Sequence, residues 1–290
     1  MFPKVPDYHK PNKPLVSNGL GVFYVLFSTV YLFLVYFFNI VPVSNAVSAP
    51  LTLAVCILFG GFMGLLDDWI DLRWRYKAFL PLIAAIPLIF LAKSLELRAT
   101  VAIPFIGVTL VLGDTYFFII IPLLVTIVTN TVNQLGGLNG LETVCPAIVL
   151  IGLMLLSGQK AVLLYVPLAV WLLLASLNVS GRIFVGNTGS FAIGITLASF
   201  AIISDLKFVL AVSILPYIAN SILILLTFFF FRTKANVKFD GQRLSSDHRR
   251  SLITLITYNR PFSERQVVSI ISLLVAGSTA VPVLLHFLIA

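Results

Sequence analysis

The sequence predicts an all-α integral membrane protein with about nine transmembrane helices. Of its 290 residues, 59% are hydrophobic and only 10% are charged, whereas a soluble domain carries roughly 25% charged residues. A large core cannot explain this deficit, because charged residues coat a soluble surface, whereas a surface that faces lipid needs none. Several apolar runs also reach the roughly 20 residues that cross a bilayer. We interpret residues 1–290 as a single transmembrane domain.

Nine apolar segments are the candidates for these helices, and none of them contains Asp, Glu, Lys or Arg. The segments are 19–40, 49–66, 78–92, 115–133, 143–157, 161–178, 188–203, 208–231 and 266–289. Residues 1–18 are expected to be non-helical, because proline is disfavoured inside helices and this stretch contains Pro3, Pro6, Pro11 and Pro14.

The weaker apolar stretch Val101–Gly113 is expected to form a short extended hairpin on the extracytosolic side. Pro104, Gly107 and Gly113 interrupt its β-branched residues, and such a pattern is typical of strands joined by turns. An additional membrane span is the alternative interpretation of this stretch.

The basic residues favour the hairpin and an N-terminus on the cytosolic side. With nine spans, 15 of the 19 Lys and Arg residues lie on the inner side, and the remaining four are Lys93, Arg98, Lys160 and Lys207. Making Val101–Gly113 a span would move the basic 232–265 loop outside, against the positive-inside rule. The net charge of +8 therefore indicates cytosolic loops or an anionic ligand, and it requires no nucleic acid.

The first polar cluster on the inner face directly follows a predicted span. Asp67, Asp68 and Asp71 lie close enough to repel one another unless a cation neutralises them, and hard cations such as Mg²⁺ prefer oxygen ligands and phosphates. Three basic residues follow at once, namely Arg73, Arg75 and Lys77. The cluster suits a metal–phosphate site; the alternative is a solvated helix end with ordinary anchoring charges.

A run of amides and glycines, Asn130–Glu142, lies at the inner end of another predicted span. Amides there are costly unless they are paired, and Asn supplies both the donors and the acceptors that a base or ribose requires. Glycines allow the backbone to approach a ligand closely. Helix–helix hydrogen bonding followed by a turn is the alternative explanation.

Two further inner segments are suited to anionic ligands. Phe184–Ser190 places a glycine-containing turn before a predicted helix, where free N–H groups can bind an anion, although Thr188 or Ser190 could simply cap that helix. The cytosolic loop 232–265 carries Asp247–Arg250, whose His-Arg-Arg cluster can pair with phosphate or sugar hydroxyls. A basic loop on anionic lipid is the alternative.

The order of these segments resembles the polyprenyl-phosphate N-acetylhexosamine-1-phosphate transferase family. The resemblance covers about residues 7–250 and is carried by DYHKPNKPLVSNGLG, GLLDDWIDLRWRYK, NTVNQLGGLNGLE and FVGNTGSF. The motifs LRWRYK and GGLNGLE are similar to those of the archaeal and eukaryotic branch, whose enzymes use UDP-GlcNAc and dolichyl phosphate. The bacterial phospho-MurNAc-pentapeptide branch usually has Asp where Gly136 and Asn139 stand.

The resemblance implies a reaction and a cofactor. The enzyme would transfer GlcNAc-1-phosphate from UDP-GlcNAc to a polyprenyl (dolichyl) phosphate and release UMP, the first step of lipid-linked oligosaccharide assembly for N-glycosylation. Mg²⁺, with Mn²⁺ as an alternative, would be the cofactor. The expected location is the archaeal plasma membrane or the endoplasmic reticulum membrane, with the active site facing the cytosol and membrane lipid around the chain. A homodimer is a further expectation.

The resemblance also implies residue roles. Asp67 and Asp68 match the family's acidic pair and Lys77 its phosphate-facing lysine, which makes these three the catalytic candidates. Asn133 and Asn187 match metal-site positions. The substrate-binding candidates are Gly137, Asn139, Phe184, His248 and Arg249, of which Gly137 and Asn139 match uridine contacts and His248 and Arg249 match the loop that holds the diphosphate and sugar.

Two features depart from the family pattern. The family has a transmembrane helix before the region that matches Asp7–Gly21, and no such helix is expected in this sequence. The family has Asp where this chain has Asn187. A catalytically weakened member that still binds nucleotide-sugar or lipid phosphate is therefore an alternative. A membrane transporter is another, but transporters place polar groups near the bilayer midplane, whereas the clusters here lie at one edge.

Overall fold

The computed structural model describes residues 2–41, 47–94, 99–103, 108–232 and 235–289. The chain is mostly helical, and its α-helices are α1 (Gly21–Phe37), α2 (Ala49–Ile70), α3 (Trp74–Ala84), α4 (Ile86–Ser94), α5 (Ile121–Gln134), α6 (Leu141–Leu156), α7 (Tyr165–Val179), α8 (Gly186–Ile203), α9 (Lys207–Ser213), α10 (Leu215–Leu226), α11 (Leu252–Ile256) and α12 (Glu264–Ile289). Many of their large apolar side chains are exposed, as expected for surfaces that face lipid. The protein is therefore a multi-pass membrane protein.

Six helical segments of the described chain are long and apolar enough to cross a membrane. They are Ala49–Ile70, Trp74–Ser94, Tyr116–Gln134, Gly158–Val179, Gly186–Ile203 and Glu264–Leu288. A seventh results if α9 and the helix that follows it, which meet at a 55° bend, form one broken span. Helices α1 and α6 are apolar but shorter. Each of the nine predicted segments thus coincides with a helix or helix pair, and nine crossings stay a prediction.

Three short hairpins complete the fold. Strands β1 (Lys4–Pro6) and β2 (Leu15–Ser17) pair antiparallel, which confirms that the proline-rich start of the chain is not helical. Strands β3 (Thr100–Ile103) and β4 (Val108–Val111) also pair antiparallel, as the expected hairpin requires, while its residues 104–107 lie outside the described ranges. Strands β5 (Lys238–Phe239) and β6 (Leu244–Ser245) form the third hairpin.

Helix α8 lies in the centre of the bundle, and all its residues from Thr188 onward are buried. It packs most closely against α2, where glycine removes the side chain that would separate the backbones. A Cβ atom on Gly64 would lie 2.2 Å from the carbonyl oxygen of Asn187. This contact fixes the C-terminal end of α2 against the first turn of α8.

The N-terminal hairpin is attached to the segment that leads into α8. The amide of Phe184 donates to the carbonyl of Ser17 over 2.9 Å, and the amide of Gly21 donates to the carbonyl of Val185 over 2.9 Å. Backbone hydrogen bonds therefore hold the hairpin, the start of α1 and the start of α8 together at one end of the bundle.

Candidate functional site

A polar cavity of about 450 Å³ opens where α2 and α5 end and α8 begins. Five of the residues predicted from the sequence line it, namely Asp68, Asn133, Gly137, Phe184 and Asn187. These residues come from three separate segments of the chain, so the fold brings together side chains that the sequence analysis assigned to one site.

Asp68 joins the end of α2 to the start of α8. Its Oδ1 accepts a hydrogen bond from the amide of Asn187 over 3.0 Å. Its Oδ2 accepts from the amide of Thr188 over 3.0 Å and from the Thr188 hydroxyl over 2.8 Å. A carboxylate at a helix N-terminus satisfies free N–H groups and interacts favourably with the helix dipole. Asp68 therefore has a structural role in addition to its position on the cavity wall.

Asp67 faces Lys77 and is buried. Its Oδ1 lies 2.7 Å from the Lys77 ammonium and accepts a hydrogen bond from the amide of Leu72 over 2.9 Å. The same ammonium is 3.6 Å from a carboxylate oxygen of Asp71, so a lysine of the chain already offsets two of the three clustered charges. The other oxygen of Asp67, Oδ2, is buried and has no hydrogen-bond partner among the described residues.

The two asparagines predicted as metal ligands both line the cavity. The side-chain oxygen of Asn133 accepts a hydrogen bond from the Ser190 hydroxyl over 2.5 Å, which orients that amide from the first turn of α8. Asn187 belongs to the same turn. Within the described ranges, no three His, Cys, Asp or Glu side chains converge closely enough to hold a metal by themselves.

The substrate-binding candidates separate into two groups. Gly137 and Phe184 line the cavity, and Gly137 has a left-handed backbone with a φ of 89°. Asn139 is instead buried in a hydrogen-bond network, where its side-chain nitrogen donates to Asp7 over 2.7 Å and to Glu264 over 3.1 Å. Asn139 is not among the residues that line the cavity.

His248 and Arg249 do not line the cavity either. The imidazole of His248 lies 3.4 Å from the Ser246 hydroxyl, and the guanidinium of Arg249 lies 4.2 Å from the ring centroid of Tyr258. The neighbouring Asp247 accepts a hydrogen bond from Lys238, which lowers the pKa of the aspartate. These contacts organise the 232–265 loop internally.

Two carboxylates on the cavity wall were absent from the predicted site. Asp7 belongs to the N-terminal hairpin, and Glu142 lies in the first turn of α6. Both residues stand within the motifs that carry the family resemblance, so the motifs themselves contained the signal. Glu142 accepts a hydrogen bond from Asn178 over 3.3 Å.

Comparison with known proteins gives a consistent assignment. The sequence profile of Glycosyl transferase family 4 matches residues 50–205. A protein of Saccharolobus solfataricus, provisionally named a UDP-N-acetylglucosamine–dolichyl-phosphate N-acetylglucosaminephosphotransferase, is 30% identical over 91% of this chain and 82% of its own length. The Schizosaccharomyces pombe protein of that name is 28% identical over 61% of this chain and 44% of its own length.

A bacterial relative belongs to the other branch. The phospho-N-acetylmuramoyl-pentapeptide-transferase of Prochlorococcus marinus is 27% identical over 69% of this chain and 61% of its own length. The chain thus spans most of the Saccharolobus protein and less than two thirds of the other two. The matched region runs from the start of α2 to the end of α8, which contains Asp68, Asn133 and Asn187. On these matches, the chain belongs to glycosyl transferase family 4, a family of membrane transferases.

Proposed function

We propose that the protein transfers GlcNAc-1-phosphate from UDP-GlcNAc to a polyprenyl phosphate such as dolichyl phosphate and releases UMP. The observation that carries the proposal is the polar cavity at one end of an apolar bundle, lined by Asp68, Asn133 and Asn187. The names of the Saccharolobus and Schizosaccharomyces relatives support the donor and the acceptor. The first step of lipid-linked oligosaccharide assembly requires this reaction.

The proposed reaction exchanges one phosphorus–oxygen bond for another. An oxygen of the lipid phosphate attacks the phosphorus that carries the sugar, and the bond from that phosphorus to the UMP oxygen breaks. Both reactants are anionic, so positive groups must offset their repulsion. The Lys77 ammonium pairs with Asp67 over 2.7 Å, and an incoming phosphate would compete with Asp67 for this ammonium.

The cavity residues suit a hard divalent cation. Asp68, Asn133 and Asn187 offer oxygen atoms, which Mg²⁺ and Mn²⁺ prefer, and the unpartnered Oδ2 of Asp67 is a further acceptor nearby in the sequence. We propose that these residues hold Mg²⁺ together with substrate phosphates, since the described residues contain no group of three His, Cys, Asp or Glu side chains that could hold a metal. When bound, the ion would stabilise the negative charge of the two phosphates.

Purified full-length protein tests the proposed activity directly. UMP release should require UDP-GlcNAc, dolichyl phosphate and a divalent cation together, and the labelled sugar phosphate should appear in the lipid phase. Binding of UDP-GlcNAc without UMP release would favour a catalytically weakened family member. The presence of Asn187 in place of the family's Asp is the reason for considering this alternative. Movement of UDP-GlcNAc across vesicle membranes without chemical change would favour a transporter.

The orientation of the proposed site is tested by cysteine labelling. We expect Gln242→Cys and Arg75→Cys to react with an impermeant maleimide only from the cytosolic side, and Gln159→Cys only from the opposite side, because basic loops stay inside. The three chosen positions are exposed. The native thiols of Cys56 and Cys145 are buried and free, so the wild-type chain serves as the unlabelled control. Labelling of Gln242→Cys and Arg75→Cys from opposite faces would contradict the proposed topology.

We expect Asn187→Asp to tighten Mg²⁺ binding and raise turnover. The change adds a carboxylate beside Asp68 on the cavity wall, and hard divalent cations favour carboxylate over amide oxygens. Matched titrations should give a lower Mg²⁺ concentration for half-maximal UMP release and a larger Mg²⁺-induced rise in Tm for the variant.

Asn259→Asp is the matched control for this titration. Asn259 is exposed and is not among the residues that line the cavity. The same added charge there should not lower the Mg²⁺ midpoint. If the curves of wild type and Asn187→Asp coincide in both rate and midpoint, position 187 is not a metal ligand.

A further inference from the structure

We infer that Glu264 is a positioning residue that fixes two walls of the cavity from outside it. Glu264 lies in the first turn of α12 and is buried. It is more than 120 residues away in sequence from both segments it contacts, the N-terminal hairpin and the glycine-containing loop between α5 and α6. The inference rests on the proposed function, since the cavity it shapes is the proposed UDP-GlcNAc site.

Both oxygens of the Glu264 carboxylate are used. Oε1 accepts hydrogen bonds from the backbone amide of Asn139 over 2.8 Å and from its side-chain nitrogen over 3.1 Å. Oε2 forms an ion pair with the ammonium of Lys10 in the N-terminal hairpin. One carboxylate therefore bridges three segments that are separate in the sequence.

The network continues to the cavity through Asn139. The side-chain nitrogen of Asn139 also donates to Oδ2 of Asp7 over 2.7 Å, and Asp7 lines the cavity with its hairpin neighbours Tyr8 and His9. On the other side of Asn139, Gly137 lines the cavity as well. A shift of Glu264 would therefore move two walls while leaving its own side chain out of contact with substrate.

The chemistry of the network indicates what each change removes. Asp7, Asn139 and Glu264 are buried, and a buried polar network that is only partly satisfied is costly. Glu264→Gln keeps an oxygen for Asn139 but points an amide nitrogen at the Lys10 ammonium, which replaces attraction by a clash of donors. Lys10→Met removes the same contact from its other end. Glu264→Ala removes the bridge to both segments.

The effect should fall on binding of the donor substrate. Glu264 contacts neither Asp67 nor Asp68, whereas the walls it holds carry Asp7 and Gly137. With UDP-GlcNAc as the varied substrate, we expect the KM of Glu264→Gln and Lys10→Met to rise about 10- to 100-fold, the scale of one charge-assisted hydrogen bond. Their kcat should stay within about twofold, because only uniform binding is lost. Glu264→Ala should raise KM further.

A double mutant shows whether Glu264 and Lys10 act through one shared contact or affect KM independently. Glu264→Gln combined with Lys10→Met should be no worse than either single variant, because both break one contact. Arg265→Gln is the matched control: it removes one charge from the neighbouring, exposed position of α12 and should leave KM and kcat unchanged.

Hydrogen–deuterium exchange gives a readout that does not depend on turnover. Peptides covering 4–17 and 136–140 should exchange faster in Glu264→Gln and Lys10→Met than in wild type or Arg265→Gln. If the wild type shows no transfer but the two variants still exchange faster than the wild type, the proposed function is rejected and the positioning role is kept. The inference is overturned if the wild type is active but both variants have unchanged exchange and an unchanged KM. It is also overturned if the wild type is active and both variants lose only kcat.

Discussion

Asp68→Asn is expected to reduce the rate of UMP release by at least about 100-fold, the scale of losing a key electrostatic group in an active site. The substitution removes the negative charge from the wall that also carries Asn133 and Asn187. It keeps a side-chain oxygen at the N-terminus of α8, where Asp68 accepts hydrogen bonds from Asn187 and Thr188. Single-turnover assays with saturating UDP-GlcNAc and dolichyl phosphate measure the effect.

Measuring Tm beside the rate distinguishes a loss of catalysis from a loss of folded protein. Asp68→Asn should change Tm little, because its remaining side-chain oxygen can still accept a hydrogen bond from the start of α8. Asp68→Ala removes this cap, at a cost of about 0.5–2 kcal/mol, and should lower Tm more while reducing the rate to a similar extent. Asp114→Asn is the charge control: Asp114 is exposed and paired with Lys93 over 3.0 Å, away from the cavity lining. Wild-type turnover in Asp68→Asn would remove this carboxylate from the mechanism.

Apolar runs predicted the helices well but placed some of their ends too early or too late. The segment predicted as 49–66 continues to Ile70 as α2, because Asp67 and Asp68 are paired with Lys77 and with the start of α8. Likewise α12 begins at Glu264, whose charge is satisfied by Lys10 and Asn139. Charged residues end a hydropathy signal, although a helix can carry them when tertiary partners are available.

The cavity residues that belong to a local sequence motif could be predicted from the sequence. Asp68, Asn133 and Asn187 each lie at a helix end next to an apolar run, so their common location follows from the topology. The role of Asn139 did not follow, because its partners Asp7 and Glu264 are 132 and 125 residues away. Local spacing carries no information about which distant carboxylate will reach a given amide.

Gly64→Ala is expected to destabilise the protein and to impair transfer at temperatures where it stays folded. A Cβ atom at this position would lie 2.2 Å from the Asn187 carbonyl oxygen and 2.5 Å from the Thr188 Cα atom. Both are backbone atoms, so neither can move aside without shifting α8. Inserting an atom into a packed interior typically costs about 1–3 kcal/mol.

Gly277→Ala is the matched control for this substitution. Gly277 also lies inside a helix, α12, but apart from the adjoining backbone of that helix, no heavy atom of the described residues lies within 4 Å of the position its Cβ would take. That variant should be neutral or more stable by about 0.5–1 kcal/mol, because alanine is the better helix former. Thermal unfolding of the two variants in the same detergent gives the comparison.

The consequence for function follows from the position of Gly64, one turn before Asp68. Displacing α2 from α8 pulls the Asp68 carboxylate away from the amides of Asn187 and Thr188, and a misplacement of about 1 Å can cost 100-fold in rate. Gly64→Ala should therefore lose turnover well beyond its loss of folded protein, whereas Gly277→Ala should keep both. Equal Tm and equal turnover in the two variants would mean that α2 and α8 do not approach this closely at the cavity.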